Sequence, residues 1–298
     1  MHAATRTSMA LGEAVKVIPV GDLGGAIDWA PHLEGIDAVI HLAALAHVTS
    51  IIPEADYDRI NYRAAAHLAR AADAAGARLI FLSSVAAQSG PSSSSVLTET
   101  SPPQPTTAYG RAKLRAEQDI AEIMRRYVIL RPTLTYGAGV IGNMGRIIDL
   151  ATLRMPPPFG SIHNQRSLLA VENMCDAVEF VIGSDAALNQ LFLLSDPEPV
   201  SIAEIVSLIR SGAGLSPHGL RVPPALLAGA LHLLRRGELW EKIAGDLVVS
   251  VDKLAGLGFK WRTNTQDALR ALGARRSVDV AESVAVQGEL KSRATAVH

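Results

Sequence analysis

The sequence predicts an α/β protein in which helices cover both faces of a doubly wound parallel sheet. Short apolar runs alternate with stretches of helical periodicity through the first half of the chain, and this alternation is typical of βαβ units. We expect strands over four such runs: residues 15–20, 37–42, 78–83 and 127–131. We expect helices between them, over about residues 56–75 and 106–126. Right-handed crossovers would place these helices on the two faces of the sheet.

The sequence pattern changes after residue 140, where we expect a smaller C-terminal lobe. The expected division is residues 1–140 for the sheet domain, with segments 165–195 partly interleaved, 141–275 for the smaller lobe and 276–298 for a polar tail. Within the later part, a strand is expected over residues 165–171, a helix from Glu172 and a strand over residues 191–194. Ser201 and Glu204 form a capping-box pattern at the start of another helix.

Composition excludes several classes of protein. The 298 residues include 28 Lys and Arg against 29 Asp and Glu, and this balance argues against nucleic acid as a partner. A single cysteine, Cys175, excludes an internal disulfide framework and suits a cytoplasmic location. No cluster of His, Cys and carboxylates has metal-ligand spacing, so we predict no metal site.

One segment bears on membrane association. Residues 225–234 are apolar but are followed by Arg235 and Arg236, and no run of 18 apolar residues occurs. We therefore expect a core or interface helix there, rather than a membrane anchor, and no membrane partner.

The spacing of Tyr109 and Lys113 is the strongest chemical signal in the sequence. Residues four apart lie on one face of a helix, and an ammonium there would stabilise a phenolate and lower the tyrosine pKa. Ser83 and Ser84 end the apolar run before this helix, at the edge of a parallel sheet where ligands bind. Together these groups could polarise a carbonyl or take a proton from an alcohol, although strand-end capping alone would also explain the serines.

Several motifs in order resemble the extended short-chain dehydrogenase/reductase family, in particular its sugar-nucleotide epimerases and dehydratases. The matching segments are Val20-Gly21-Asp22-Leu23, residues 37–44 (DAVIHLAA), Asn61 to Ala65, Phe81 to Ser84, the Glu99 to Lys113 layout, Leu130-Arg131-Pro132 and Tyr136-Gly137. The resemblance implies a Rossmann-like dinucleotide-binding domain and a smaller lobe that closes over the substrate.

The resemblance also implies roles for individual residues. Tyr109 would be the acid/base, Lys113 would lower its pKa and hold the nicotinamide ribose, and Ser84 would hydrogen-bond the reacting oxygen. The implied cofactor-binding residues are Asp22, Leu23, Leu42, Ala43, Ala44, Ser83, Tyr109, Lys113 and Pro132. The implied substrate-binding residues are Ser84, Asn143 and Arg166. The guanidinium of Arg166 would hold phosphate oxygens; alternatively, Arg166 forms only a surface salt bridge.

The function that the resemblance implies is NAD(P)-dependent hydride transfer at C4 of a nucleotide sugar. A UDP-glucose 4-epimerase-like activity on a UDP-hexose is the first expectation, and a UDP-4-keto-deoxysugar reductase is the alternative. NAD is the expected cofactor, with NADP as the second choice. Residues 3–6 resemble the tail of the family's second strand, and Arg6, with no acidic residue, lies near its end. A homodimer through the two long helices is also expected.

One departure from the family pattern concerns the glycine-rich turn that holds the dinucleotide pyrophosphate. No G-x-x-G-x-x-G motif lies before Asp22. We therefore expect an N-terminally truncated sheet with exposed strand edges. A gene fragment or wrong start site would explain the departure. Alternatively, the chain has lost dinucleotide binding and is a non-catalytic relic or binding protein.

Overall fold

The structure, a computed structural model, describes residues 1–46, 52–140 and 142–276. Its strands are β1 (His2–Thr5), β2 (Lys16–Pro19), β3 (Ala38–His41), β4 (Arg78–Leu82), β5 (Tyr127–Pro132), β6 (Leu134–Tyr136), β7 (Leu168–Ala170) and β8 (Gln190–Leu194). All four strands expected in the first half of the chain are present, as is the later strand expected over residues 191–194. The predicted polar tail lies outside the described residues, apart from Arg276.

The helices account for most of the remaining regular structure. They are α1 (Ala30–Leu33), α2 (Glu54–Tyr57), α3 (Ala64–Ala74), α4 (Ala108–Ile123), α5 (Gly142–Ala151), α6 (Val171–Gly183), α7 (Ile202–Gly212), α8 (Pro224–Leu233), α9 (Gly237–Ala244) and α10 (Asp252–Gly256). A π-helical turn, Asp58–Arg63, joins α2 to α3, so the first long helix that we expected is interrupted. Ser201 and Glu204 form the expected capping box before α7.

The strands pair in the order β3-β4-β5-β8, with β1-β2 and β6-β7 as separate pairs. The pairs β1-β2, β3-β4, β4-β5 and β6-β7 are parallel. Helices flank these strands, which confirms the α/β, Rossmann-like class. The carboxyl ends of β3 and β4 lie side by side, because His41 is opposite Phe81. The residues after these strands are therefore brought to one edge of the sheet.

The chain forms two compact units. Unit 1 contains residues 1–90, 99–131 and 178–193, and unit 2 contains residues 91–98, 132–177 and the described residues from Leu194 onward. In unit 1, α3 and α4 pack on β4 around Leu68, Phe81 and Ile120. The core of unit 2 forms around β6, β7, α5 and α7. The domain boundaries that we expected from the sequence stay predictions.

The edge of the four-stranded sheet carries exposed apolar side chains. β3 is the edge strand, and Ile40 at its end and Leu42 just after it are exposed to 40% and 64%. β1 and β2 pair with each other and not with β3. On the side away from β4, the backbone N–H and C=O groups of β3 therefore pair with no described strand. This agrees with the expected exposed strand edge.

Helix α8 differs from the expectation of a core helix. None of its residues is buried, although Leu227 is half-buried against the core of unit 2. The core alternative is therefore wrong, because the helix rests on the protein along one side only. Among the described residues, no helix combines the length and apolarity needed to cross a bilayer.

His41 provides a test of the packing at the end of β3. Its imidazole is buried and stacks on Phe81. Burial, with a smaller effect of the Lys113 charge, lowers its pKa from 6.5 to about 3. The unfolded chain therefore takes up a proton below about pH 6.5 that the folded protein refuses, and stability falls as the pH falls from there towards 3.

We predict that His41→Leu flattens this pH dependence. The free energy of unfolding is measured in urea at a series of pH values. Between pH 6.5 and 3, its slope against pH should be smaller in the variant by up to about 1.4 kcal/mol per pH unit. Equal slopes for the variant and the parent protein would show that His41 is solvated or already protonated in the folded state.

Candidate active site

The Tyr109–Lys113 helix begins at a well-formed cap. Thr107 accepts a hydrogen bond from the Gly110 N–H at 3.0 Å, which fixes the first turn of α4. Gly110 also permits a close approach to the turn after β4, because a Cβ there would lie 2.1 Å from the Ala86 carbonyl oxygen. The start of α4 is therefore packed directly against the segment that carries Ser84.

Ser84 has two contacts at the end of the sheet. It caps a 3₁₀ turn (Val85–Ala87), accepting the N–H of Ala86 at 3.1 Å, so the capping alternative is confirmed for Ser84. It is wrong for Ser83, whose hydroxyl donates to Glu117. The Ser84 hydroxyl is also near enough to the Tyr109 side chain to lower the pKa of that phenol. The structure thus brings together the expected acid/base and the hydroxyl expected to hold the reacting oxygen.

The electrostatics of Tyr109 differ from the expectation. Burial raises the pKa of Tyr109, the neighbouring Ser84 hydroxyl lowers it, and Tyr57, whose ring contacts that of Tyr109, raises it. The net direction is upward. The expected lowering of the tyrosine pKa by Lys113 is therefore wrong for this arrangement, because the ammonium is held elsewhere.

Lys113 is directed at the strand below the helix. It is buried, its Nζ donates to the Leu82 carbonyl at 2.7 Å, and it lies 4.5 Å from the centre of the Phe81 ring. Burial lowers its pKa from 10.5 to about 8, and the charge of Glu117 opposes this shift. Lys113 therefore sits beside the carboxyl edge of the sheet with a pKa close to neutral pH.

A buried polar network beneath Lys113 was missed by the sequence analysis. Glu117 lies one turn beyond Lys113 and forms an ion pair with Arg131, whose Nε and Nη2 donate to its two oxygens at 2.9 and 2.5 Å. Arg131 Nη1 donates to the Gln88 side chain at 2.5 Å, and the Ser83 hydroxyl donates to Glu117. Tyr109, Lys113 and Glu117 are spaced four residues apart and therefore lie on one helix face. This spacing could have indicated Glu117 from the sequence. The cofactor contact proposed for Ser83 stays a prediction.

The residues expected along the cofactor path lie in unit 1. Leu42 and Ala43 are exposed and Ala44 is half-buried, so close packing in the core does not explain them. The buried Asn61 fixes the loop that follows them, accepting the Leu45 N–H at 2.7 Å and donating to the Leu45 carbonyl at 3.0 Å.

Two further cofactor candidates follow β2. Asp22 accepts the Gly24 N–H at 3.0 Å and pairs with Arg59 at 2.7 Å, and Arg59 is the main cause of its lowered pKa. Leu23 packs against the core of unit 1. Their predicted contact with the adenine stays a prediction.

The expected substrate residues lie in unit 2. Asn143 is exposed near the start of α5. Arg166 donates to the Gly245 carbonyl at 2.7 Å and to the Pro91 carbonyl at 3.3 Å, and burial lowers its pKa. Carbonyl groups, rather than the carboxylate of the salt-bridge alternative, therefore hold its guanidinium.

Pro132, the last cofactor candidate, ends β5. Within the described ranges, no three His, Cys, Asp or Glu side chains group as metal ligands.

Comparison with known proteins identifies the family. The model of the NAD dependent epimerase/dehydratase family matches residues 8–192. A UDP-glucose 4-epimerase of Vibrio cholerae is 31% identical over 242 residues, which are 78% of this chain and 74% of that protein. The chain belongs to the NAD dependent epimerase/dehydratase family. It is an enzyme of the extended short-chain dehydrogenase/reductase type.

Solved structures share the fold. MoeE5 in complex with UDP-glucuronic acid and NAD superposes with a TM-score of 0.72 at 24% identity, covering 93% of this chain and 91% of that one. UDP-glucuronic acid 4-epimerase from Bacillus cereus in complex with NAD gives a TM-score of 0.70 at 19% identity, covering 88% and 80%.

The family implies NAD, and two parts of the site fit it. The exposed Leu42 and Ala43 offer an apolar surface beside the sheet edge, and the buried Nε2 of His41 has no hydrogen-bond partner among the described residues. Ser84, Tyr109 and Lys113 converge at the same edge, where a nicotinamide ribose would be held. The pyrophosphate has no comparable site before Asp22, because no glycine-rich turn leads from a strand into a helix there.

We predict that Glu117→Gln destabilises the protein strongly, because it leaves the Arg131 charge buried without its partner. The free energy of unfolding in urea should fall by roughly 3–5 kcal/mol. The double replacement Glu117→Leu with Arg131→Met is the matched control, since it removes both charges, and should recover most of this loss. Equal losses in the single and double variants would contradict the ion pair.

Proposed function

We propose that this chain is a nucleotide-sugar enzyme that moves hydride and proton at C4 of a UDP-hexose, as a UDP-glucose 4-epimerase does. The observation that carries the proposal is the meeting of Tyr109 and Ser84 at the carboxyl edge of the sheet, one helical turn from the buried Lys113. A phenol and a hydroxyl placed together can share the oxygen of a reacting alcohol or ketone.

The proposed chemistry assigns each residue one task. Ser84 hydrogen-bonds the sugar C4 oxygen and holds it against Tyr109. Tyr109 must first lose its own proton, and its phenolate then takes the proton of the C4 hydroxyl as the carbonyl forms. The resulting phenol returns that proton when the carbonyl is reduced. Lys113 supplies positive charge beside this edge when it is protonated. Bound NAD would supply the acceptor for the C4 hydride and, in the reduced form, the donor for its return to the opposite face of the sugar.

The substrate class rests on the relatives. The Vibrio cholerae protein is named a UDP-glucose 4-epimerase, and MoeE5 has been solved with UDP-glucuronic acid. Arg166 would turn from its carbonyl partners to the diphosphate, for which its planar fork is suited. Asn143 is exposed and would provide an amide for the same group.

A second candidate, a UDP-4-keto-deoxysugar reductase, is favoured by the raised pKa of Tyr109. A tyrosine that holds its proton at neutral pH is ready to donate it to a ketone but must first lose it to act as a base. The two activities differ in cofactor balance: an epimerase keeps NAD bound and regenerates it, whereas a reductase consumes one NADH or NADPH per turnover.

We predict that Tyr109→Phe lowers kcat for interconversion of UDP-glucose and UDP-galactose by about 10²–10⁴-fold, because the proton transfer is lost. The dissociation constant for the UDP-sugar should stay within about twofold, since the ring is retained. Tyr127→Phe is the matched control and should leave kcat unchanged. Product formation is followed by chromatography of the nucleotide sugars.

The same assay separates the alternatives. Stoichiometric oxidation of NADH with a UDP-4-keto-deoxysugar, without interconversion of UDP-hexoses, would replace the epimerase proposal with the reductase. Failure to bind NAD(H) in equilibrium dialysis, together with retained binding of UDP-sugar, would identify a non-catalytic binding protein. Full activity of Tyr109→Phe would remove the tyrosine from the mechanism.

A further inference from the structure

Helix α8 has an apolar surface that the protein does not cover. Leu226 and Leu233 are exposed to 66% and 86%, and Gly229 and Ala230 are also exposed. The spacing i, i+3, i+4, i+7 places these four residues in one stripe along the helix, which we call the α8 stripe. Leu234, just after the helix, extends it with 66% exposure.

The opposite side of α8 is apolar too. Leu227 packs against the core of unit 2, and the only polar side chain on the helix is His232. A helix that is apolar all round is normally covered on all sides, by a protein core or by lipid. In α8 the protein covers one side and leaves the stripe open, and such exposed patches mark interaction sites.

The charges around the stripe identify the partner. Residues 205–237 contain no Asp or Glu and four arginines, of which Arg210 is buried, although the whole chain has a net charge of −1. Arg221 is exposed before α8, and Arg235 and Arg236 are exposed after it. Glu238 is an exposed carboxylate on the neighbouring α9, and Glu241 and Lys242 on the same helix offset each other. An apolar stripe with cations at both ends matches the acyl and phosphate layers of an anionic lipid surface.

A second copy of this chain fits the stripe less well. Antiparallel pairing of two α8 helices would bring Arg235 and Arg236 of each copy towards Arg221 of the other, and parallel pairing would bring the arginine pairs together. Both arrangements place like charges side by side. A helix of 10 residues is also only about 15 Å long, which is short for the roughly 1,200 Å² that a stable interface buries.

We propose that α8 binds the surface of anionic membranes, with its stripe in the acyl–headgroup boundary and Arg221, Arg235 and Arg236 on lipid phosphates. The expectation of no membrane partner depended on α8 being a core or interface helix, and the structure buries none of its residues. This binding is peripheral and is independent of the proposed chemistry, because α8 contains none of the candidate catalytic residues.

The test is flotation of the full chain with lipid vesicles in a density gradient, in which protein aggregates sink and bound protein rises. The chain should float with phosphatidylcholine–phosphatidylglycerol vesicles, less with phosphatidylcholine alone, and less at high ionic strength. Leu226→Gln with Leu233→Gln should weaken partitioning by roughly tenfold for each leucine. Arg235→Gln with Arg236→Gln should weaken it by about fivefold for each arginine.

Matched controls use the same replacements elsewhere. Val96→Gln alters another exposed apolar side chain of unit 2, and Arg70→Gln with Arg126→Gln removes two exposed arginines of unit 1. Both should float like the parent protein, and far-UV circular dichroism should show the same helix content in every variant.

Three results would overturn the proposal. They are absence of flotation with anionic vesicles, flotation that the α8 variants leave unchanged, and a lipid-free dimer in sedimentation velocity that the leucine variant dissociates. The last result would assign the stripe to a second copy of the chain.

Discussion

A carboxylate and a guanidinium buried together hold the candidate active site in place. Glu117 of α4 and Arg131 of β5 pair through two hydrogen bonds, and Glu117 also accepts the hydroxyl of Ser83. This ties the middle of α4 to two neighbouring strands. The first turn of the same helix then packs against the turn after β4, where Tyr109 lies beside Ser84. An uncompensated charge in such a place is costly, so the helix has little freedom to slide along the sheet.

Much of this fold could be predicted from local patterns. Each expected strand of the first half is a short apolar run, and burial on both faces of a parallel sheet requires such a run. β4, for example, is buried at every residue. Tyr109 and Lys113 could be singled out because their spacing fixes a common helix face, and the capping box of Ser201 depends only on residues three apart.

Features that depend on contacts between distant residues could not be predicted. Arg131 lies 14 residues from Glu117, and no periodicity links them. The direction of the Tyr109 pKa shift depends on burial and on where the Lys113 ammonium is directed, and both are set by packing. Residues 225–234 are as apolar as a core helix. Whether other parts of the protein cover α8 depends on the elements around it, and the structure buries none of its residues.

The central claim is that Tyr109 is half-buried beside Ser84, with its proton held more tightly than in water. The most direct test is a pH titration of ¹³Cζ-labelled tyrosines by NMR, with Tyr109→Phe used to assign the signal. The account predicts a pKa above the ordinary value of 10.0 for Tyr109, and a further rise in Ser84→Ala, which removes the hydroxyl that lowers it. A pKa at or below 10.0 that Ser84→Ala leaves unchanged would contradict the account.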